Sequence, residues 1–148
     1  MVVPAADKLA AKWHYTTTQP AADWAKPGFD SSHWSEGWSG FGVRDTPGAI
    51  AGTTWNTSDI WLRRDVDIAP DKLKDLELWF HHDDEAEVYI NGVLALDAGG
   101  FVGRYDYFPL SEQGRAALKP GKNTVAIHCH QTGGGQYVDL GFVDVQIN

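Results

Sequence analysis

Five consecutive residues, His81-His82-Asp83-Asp84-Glu85, put two imidazoles and three carboxylates side by side. Such groups can bond sugar hydroxyls, hold a cation or move a proton. A second polar run extends from His128 through Cys129, His130, Gln131 and Thr132 to Gly133, Gly134, Gly135, Gln136 and Tyr137. Its glycines let a backbone approach a ligand closely or simply form a flexible turn. They do not form a phosphate loop, because no Gly-Lys-Ser/Thr follows and no helix is expected there. Arg44, Asn56, Asp83, Asp84, Gln131 and Gln136 are planar groups suited to vicinal hydroxyl pairs, with His81, His130 and Tyr137 beside them. The competing reading of these residues is loop solvation and turn capping.

Aromatic rings supply the other half of a sugar site, since the C–H face of a pyranose stacks on them. Trp38, Trp55, Trp61, Trp79 and Tyr89 are the candidates, and core filling is the competing role for each. Trp55 is the expected platform, because it sits in a long loop. His128 and His130 point to the same side of one strand, so zinc is a further reading if His81 or His82 approaches them. Glycoside hydrolysis needs two opposed carboxyls about 5–5.5 or 6.5–9.5 Å apart. Asp83, Asp84 and Glu85 are adjacent instead, which leaves Asp106 or Asp139 as the opposite acid; a lyase scheme would use Tyr89 or Tyr137 with His128.

The elements that must position these groups read as strands. Leu76, Leu78, Phe80 and His82 share one face, and Glu77, Trp79 and His81 the other, by period-two alternation. His81 to Glu85 is then expected as an acidic loop leading to a second strand with Val88 and Ile90. Asn91-Gly92 supplies the positive backbone angles of a two-residue hairpin turn into Val93 to Asp97. Ile60 to Ile68 is another strand, whose apolar face is expected to switch at a bulge near Arg64. Trp13 to Thr18, Tyr105 to Leu110 (an edge strand because of Pro109), Asn123 to His130 and Tyr137 to Ile147 complete the strand set. Ser111 caps one short helix that ends before Pro120-Gly121. Residues 19–38 read as loop with short helical turns, one capped by Asp30 or Ser31.

The chain has 148 residues, enough for one domain spanning 1–148, with an ordered core expected at about 13–147. Seven Trp, six Phe, sixteen Gly and seven Pro punctuate short apolar runs, which favours an all-β sandwich or barrel. The net charge of −8 argues against nucleic acid or an anionic membrane as partner. Cys129 is the only cysteine, so no internal disulfide forms, and its apolar setting reads as a buried thiol. No signal-peptide or membrane-span pattern is present, and Met1 to Asp7 reads as an edge cut from a longer protein. If successive strands are antiparallel, the connections at 37–59, 82–85, 98–104 and 131–136 meet at one end of the sandwich.

Three stretches in order carry a family resemblance: Ile60-Trp-Leu-Arg-Arg64, Ala86-Glu-Val-Tyr-Ile-Asn-Gly92 and Pro120-Gly-Lys-Asn123. The chain resembles the sugar-binding jelly-roll domain of family 2 glycoside hydrolases and the wider galactose-binding-domain-like β-sandwiches, over roughly residues 13 to 147. The resemblance implies an all-β jelly roll with one short helix. It also implies a non-catalytic carbohydrate-binding module, accessory to a larger secreted or periplasmic carbohydrate-active enzyme. Its partners would be a poly- or oligosaccharide and a parent catalytic domain in cis. Asp83-Asp84 is similar to paired aspartates that hold calcium in some such sandwiches, making these two the metal candidates. The alternatives are a structural domain that packs on a catalytic partner without binding sugar, and a small glycosidase or polysaccharide lyase. A broad apolar patch on one sheet face would favour the structural alternative.

Overall fold

A computed structural model describes residues 2–145. It contains β1 (Lys12–Thr16), β2 (Ser35–Trp38), β3 (Phe41–Gly42), β4 (Thr53–Thr54), β5 (Asp59–Ile68) and β6 (Leu76–Asp83). There follow β7 (Glu85–Ile90), β8 (Val93–Ala98), β9 (Asp106–Pro109), α1 (Glu112–Ala117), β10 (Gly121–His130) and β11 (Tyr137–Asp144). The strands form two sheets, ordered β2-β1-β5-β10-β7-β8 and β4-β3-β11-β6-β9, that pack face to face as a sandwich. Ile147, expected in the last strand, lies outside the described residues.

Alternation builds the core. Ile60, Leu62, Val66 and Ile68 of β5 meet Val125, Ile127 and Cys129 of β10 and Val88 and Ile90 of β7 on the inner face of the larger sheet. Leu76, Leu78 and Phe80 of β6, with Val138, Leu140 and Phe142 of β11, cover them from the smaller sheet. The expected bulge at Arg64 is absent: β5 and β10 pair in unbroken register from Ile68↔Gly121 to Asp59↔His130. Period two simply continues, so Arg64 takes an inward position with its guanidinium 5.9 Å from the Trp13 ring. The ladder irregularity falls instead between Val88 and Tyr89, where β7 pairs with β8.

The expected acidic loop is also corrected. His81, His82 and Asp83 belong to β6 and are buried, and β6 and β7 lie in different sheets. Residues 83–85 are therefore a corner where the chain crosses between sheets. The hairpin expected at Asn91-Gly92 forms between β7 and β8, turned by Asn91 (φ 50°) and Gly92 (φ 84°). Asn91 also donates to the Ala117 carbonyl and accepts from the Thr124 N–H, tying the hairpin to α1 and β10. Ser111 caps α1 by accepting from Gly114 N, and β9 with Pro109 forms a sheet edge, both as expected.

Residues 2–9 cross the outside of the smaller sheet. Val3 pairs with Phe142, and a Cβ on Gly141 would lie 2.6 Å from the Val3 carbonyl, so only glycine admits this segment. Residues 19–34 form a loop of turns on the outside of the larger sheet. Asp30 caps a single turn at residues 31–34: its Oδ1 accepts from Ser32 N, and Trp34 N donates to the Ser31 carbonyl, with no longer helix following.

Candidate functional site

The antiparallel order brings the expected connections to one end. Gln131 N donates to the Ser58 carbonyl, Val43 N to the Gln136 carbonyl, and Asp83 bridges to Phe101. The polar residues gathered there bond one another. Asp84 Oδ2 accepts from Thr132 N (2.8 Å) and Gly133 N (3.2 Å). Burial pushes the Asp84 carboxyl up, but these amides and Asp83 together hold it below its ordinary value. The Asp83–Asp84 peptide is cis. Asp83 is raised to about 7 by burial and by the adjacent Asp84. The close approach expected of the glycine loop is real, but its object is protein: a Cβ on Gly135 would lie 2.7 Å from Asp83 Oδ2. His82 Nδ1 lies 2.7 Å from the Asp84 carbonyl, which can only accept, so Nδ1 carries the proton.

His81 points to the outer face of the smaller sheet and is fully buried beside Tyr105 and Tyr137, 5.4 and 4.7 Å between ring centroids. Neither ring nitrogen has a hydrogen-bond partner among the described residues. Burial and the neighbouring His82 lower its pKa to about 4; the Val102 backbone pulls the other way without forming a bond of normal geometry. Tyr137 donates to the Ile50 carbonyl (3.0 Å), and Tyr105 to Asp139 Oδ2 (2.5 Å), which also accepts from Ala6 N (2.7 Å). Burial raises Asp139 to about 6. This cluster is roofed by residues 5–6 and 48–50, so it offers no open acid–base pair.

The remaining expected contacts divide. Trp55 is buried, with Nε1 donating to Thr57 Oγ1 and the Asp59 carbonyl, and Gln136 is buried with Nε2 on the Thr57 carbonyl (2.7 Å). Neither is exposed as a platform or hydroxyl contact. Gln131 turns its Nε2 back on Gly134 O, while Arg44, Asn56 and His130 are exposed. Of the five ring candidates, Trp38 is the exposed one, at 50%. Trp61 is buried and stacks flat on His128 (4.7 Å, 1°), and Trp79 lies between Tyr105 and Tyr107. Tyr89 meets Trp24 edge-on.

The zinc reading fails on topology, since His81 and His82 sit in the other sheet from His128 and His130. His128 Nε2 (2.8 Å) and His130 Nδ1 (2.9 Å) share Asp59 Oδ1 instead. Burial raises the Asp59 carboxyl, but the two histidines outweigh it and hold it below its ordinary value; the bond to Asp59 raises His130. Asp59 stands directly opposite His130 in the β5–β10 ladder and two positions from the partner of His128, a pairing that no sequence motif announces. Asp83-Asp84 is also a poor fit to calcium: Asp84 Oδ2 is engaged by the Thr132 and Gly133 amides, whereas calcium takes six to eight oxygens. Among the described residues no group of three or more His, Cys, Asp or Glu is arranged to hold a metal.

Two open hollows lie elsewhere, between the 19–35 loop and the outside of β1 and β5. One, of about 460 Å³, is lined by Lys12, His14, Phe29, Asp30, Ser31, Arg63 and Arg64 among others. The second, of about 550 Å³, includes Thr16, Gln19, Phe29, Asp30, His33 and Trp34. Phe29 and Asp30 border both. Arg63, buried on the outward face of β5, fixes this wall by donating to the carbonyls of Trp24 (2.5 Å), Lys26 (2.9 Å) and Phe29 (3.3 Å). Burial is the main influence on Arg63 and lowers its pKa. Sequence reading passed over this site because its residues are spread over the loop and two strands with no motif; the one signal was Phe29-Asp30-Ser31 in a turn-rich segment.

No protein-family model and no curated protein sequence matches the chain. Solved structures do. A β-glycosidase from Bacteroides vulgatus aligns with 92% of this chain at 16% identity and a TM-score of 0.57. A family 2 β-glucuronidase aligns with 90% at 17% identity and a TM-score of 0.59. A Bacteroides uniformis β-glucuronidase aligns with 88% at 20% identity and a TM-score of 0.57. The chain spans only about a fifth of those proteins, 20%, 17% and 18% of their lengths. The described chain is thus a β-sandwich with the fold of one segment of family 2 glycoside hydrolases, as the sequence resemblance implies.

Proposed function

We propose that the chain is a non-catalytic, carbohydrate-binding accessory domain of a larger glycoside hydrolase. A catalytic partner in cis and a secreted or periplasmic setting accord with a polysaccharide ligand. The observation that carries this reading is the distribution of surface chemistry. Of the acids considered for hydrolysis, Asp83, Asp84 and Asp139 are buried, and Glu85 and Asp106 are partly covered. Open surface that mixes an aromatic ring with hydroxyl, amide and charged groups remains, which is the make-up of a saccharide site.

The purified chain is expected to give saturable heat with at least one oligosaccharide, with Kd in the range of about micromolar to millimolar, and no turnover of aryl glycosides. Turnover that disappears in Asp83→Asn or Asp139→Asn would instead establish a small glycosidase. Absence of binding across the panel would favour the purely structural role.

A further inference from the structure

We propose that the two hollows are adjoining subsites of one groove that takes an uncharged oligosaccharide, with Phe29 and Asp30 as the ridge between them. This rests on the carbohydrate-binding reading and places its site away from the loop end.

Five observations converge. The hollows share Phe29 and Asp30, so a ligand filling both is longer than one sugar ring. Phe29 is fixed in advance: its carbonyl is held by Arg63, the Arg63 guanidinium lies 5.3 Å from its ring, and Trp34 packs against it edge-on at 5.7 Å. A half-buried ring held this way can receive the C–H face of a sugar without first being ordered.

The polar groups around it both donate and accept. His14 Nδ1 lies 3.0 Å from Ser31 Oγ, orienting that hydroxyl, and Asp30 is exposed with Oδ1 engaged by Ser32 N. Thr16, Gln19 and His33 line the second hollow. Opposite charges are mixed: Lys12 and the buried Arg63 stand with Asp30 and Asp65, Glu36 is 3.9 Å from Lys12, and the Arg64 guanidinium is turned inward to Trp13. An anionic ligand would meet Asp30 in either hollow, so an uncharged polyol suits the groove better. Each volume is within the range of small-molecule sites, about 300–1,000 Å³.

The test is calorimetric titration of the chain with neutral oligosaccharides of increasing length and with acidic ones. It is run on the parent sequence, on Phe29→Ala and Asp30→Ala, and on Asn56→Ala at the loop end. Thermal unfolding confirms that each variant is folded. The expected result is binding to a neutral oligosaccharide that strengthens with length and weakens about tenfold or more in each groove variant, the scale of one stacking contact. Asn56→Ala leaves it unchanged. Binding untouched by both groove variants would overturn this site while leaving the carbohydrate-binding reading intact. Absence of binding to any saccharide would overturn both, and preference for the acidic ligands would overturn the uncharged class.

Discussion

At the scale of single residues, the polar groups that look most reactive in the sequence are those the fold consumes. Asp83 is raised to about 7 by burial and Asp84, and Asp139 to about 6 mainly by burial. An unfolded aspartate releases its proton near about 3.9. Both groups therefore contribute stability that is complete below that value and is lost as pH rises, through about 7 for Asp83 and about 6 for Asp139. His81 has the opposite sign. Its folded value of about 4 means that its contribution is full above about 6.5, the unfolded value, and is lost as pH falls toward 4. Asp83→Asn removes one opposing term. Urea unfolding between pH 4 and 7 should show a stability-versus-pH slope more positive in this variant than in the parent, by up to about 1.4 kcal/mol per pH unit. Parallel curves for the two proteins would contradict the buried, proton-holding state of Asp83. Sequence alone exposed the residue types here but not their burial, because a His-His-Asp-Asp run has the same composition in a solvated loop and in a strand end covered by Gly135.

At the scale of elements, Arg63 matters most to the groove. It gathers three carbonyls of the 19–34 loop with one guanidinium, and its Nε is buried with no partner among the described residues. Arg63→Ala should destabilise the chain by about 3 kcal/mol, as expected for losing charged hydrogen bonds with partial rehydration of the carbonyls. Limited proteolysis should then cut first within residues 19–34. Arg63→Lys should recover little, because an ammonium cannot span three acceptors in a planar fork. A stable, protease-resistant Arg63→Ala chain would show that the loop is held by its aromatic contacts alone. Most strands and the Asn91-Gly92 turn were legible from alternation and turn chemistry. The bulge expected at Arg64 was misread because an inward arginine resembles a change of face. The loop was opaque for a different reason: its wall is built from backbone carbonyls, which carry no side-chain signature, and from a partner 34 to 39 positions away.

For the whole molecule, the strand directions were enough to bring 37–59, 82–85, 98–104 and 131–136 together. They could not say whether those loops leave a cleft. The answer depends on where side chains turn: Trp55, Gln136 and Asp84 bond neighbouring loops and close the layer, while the 19–35 loop stands off β1 and β5 and leaves space. On the proposed reading a saccharide lies along the side of the sandwich, in the lateral groove between the 19–35 loop and β1 and β5. Amide chemical-shift mapping of the isotope-labelled chain during titration with a neutral oligosaccharide tests this most directly. Saturable shifts are expected at residues 12–16, 29–35 and 63–65, with little change at 44, 56, 84, 101 and 130–136. Shifts confined to the loop-end set, or none at saturating ligand, would contradict it.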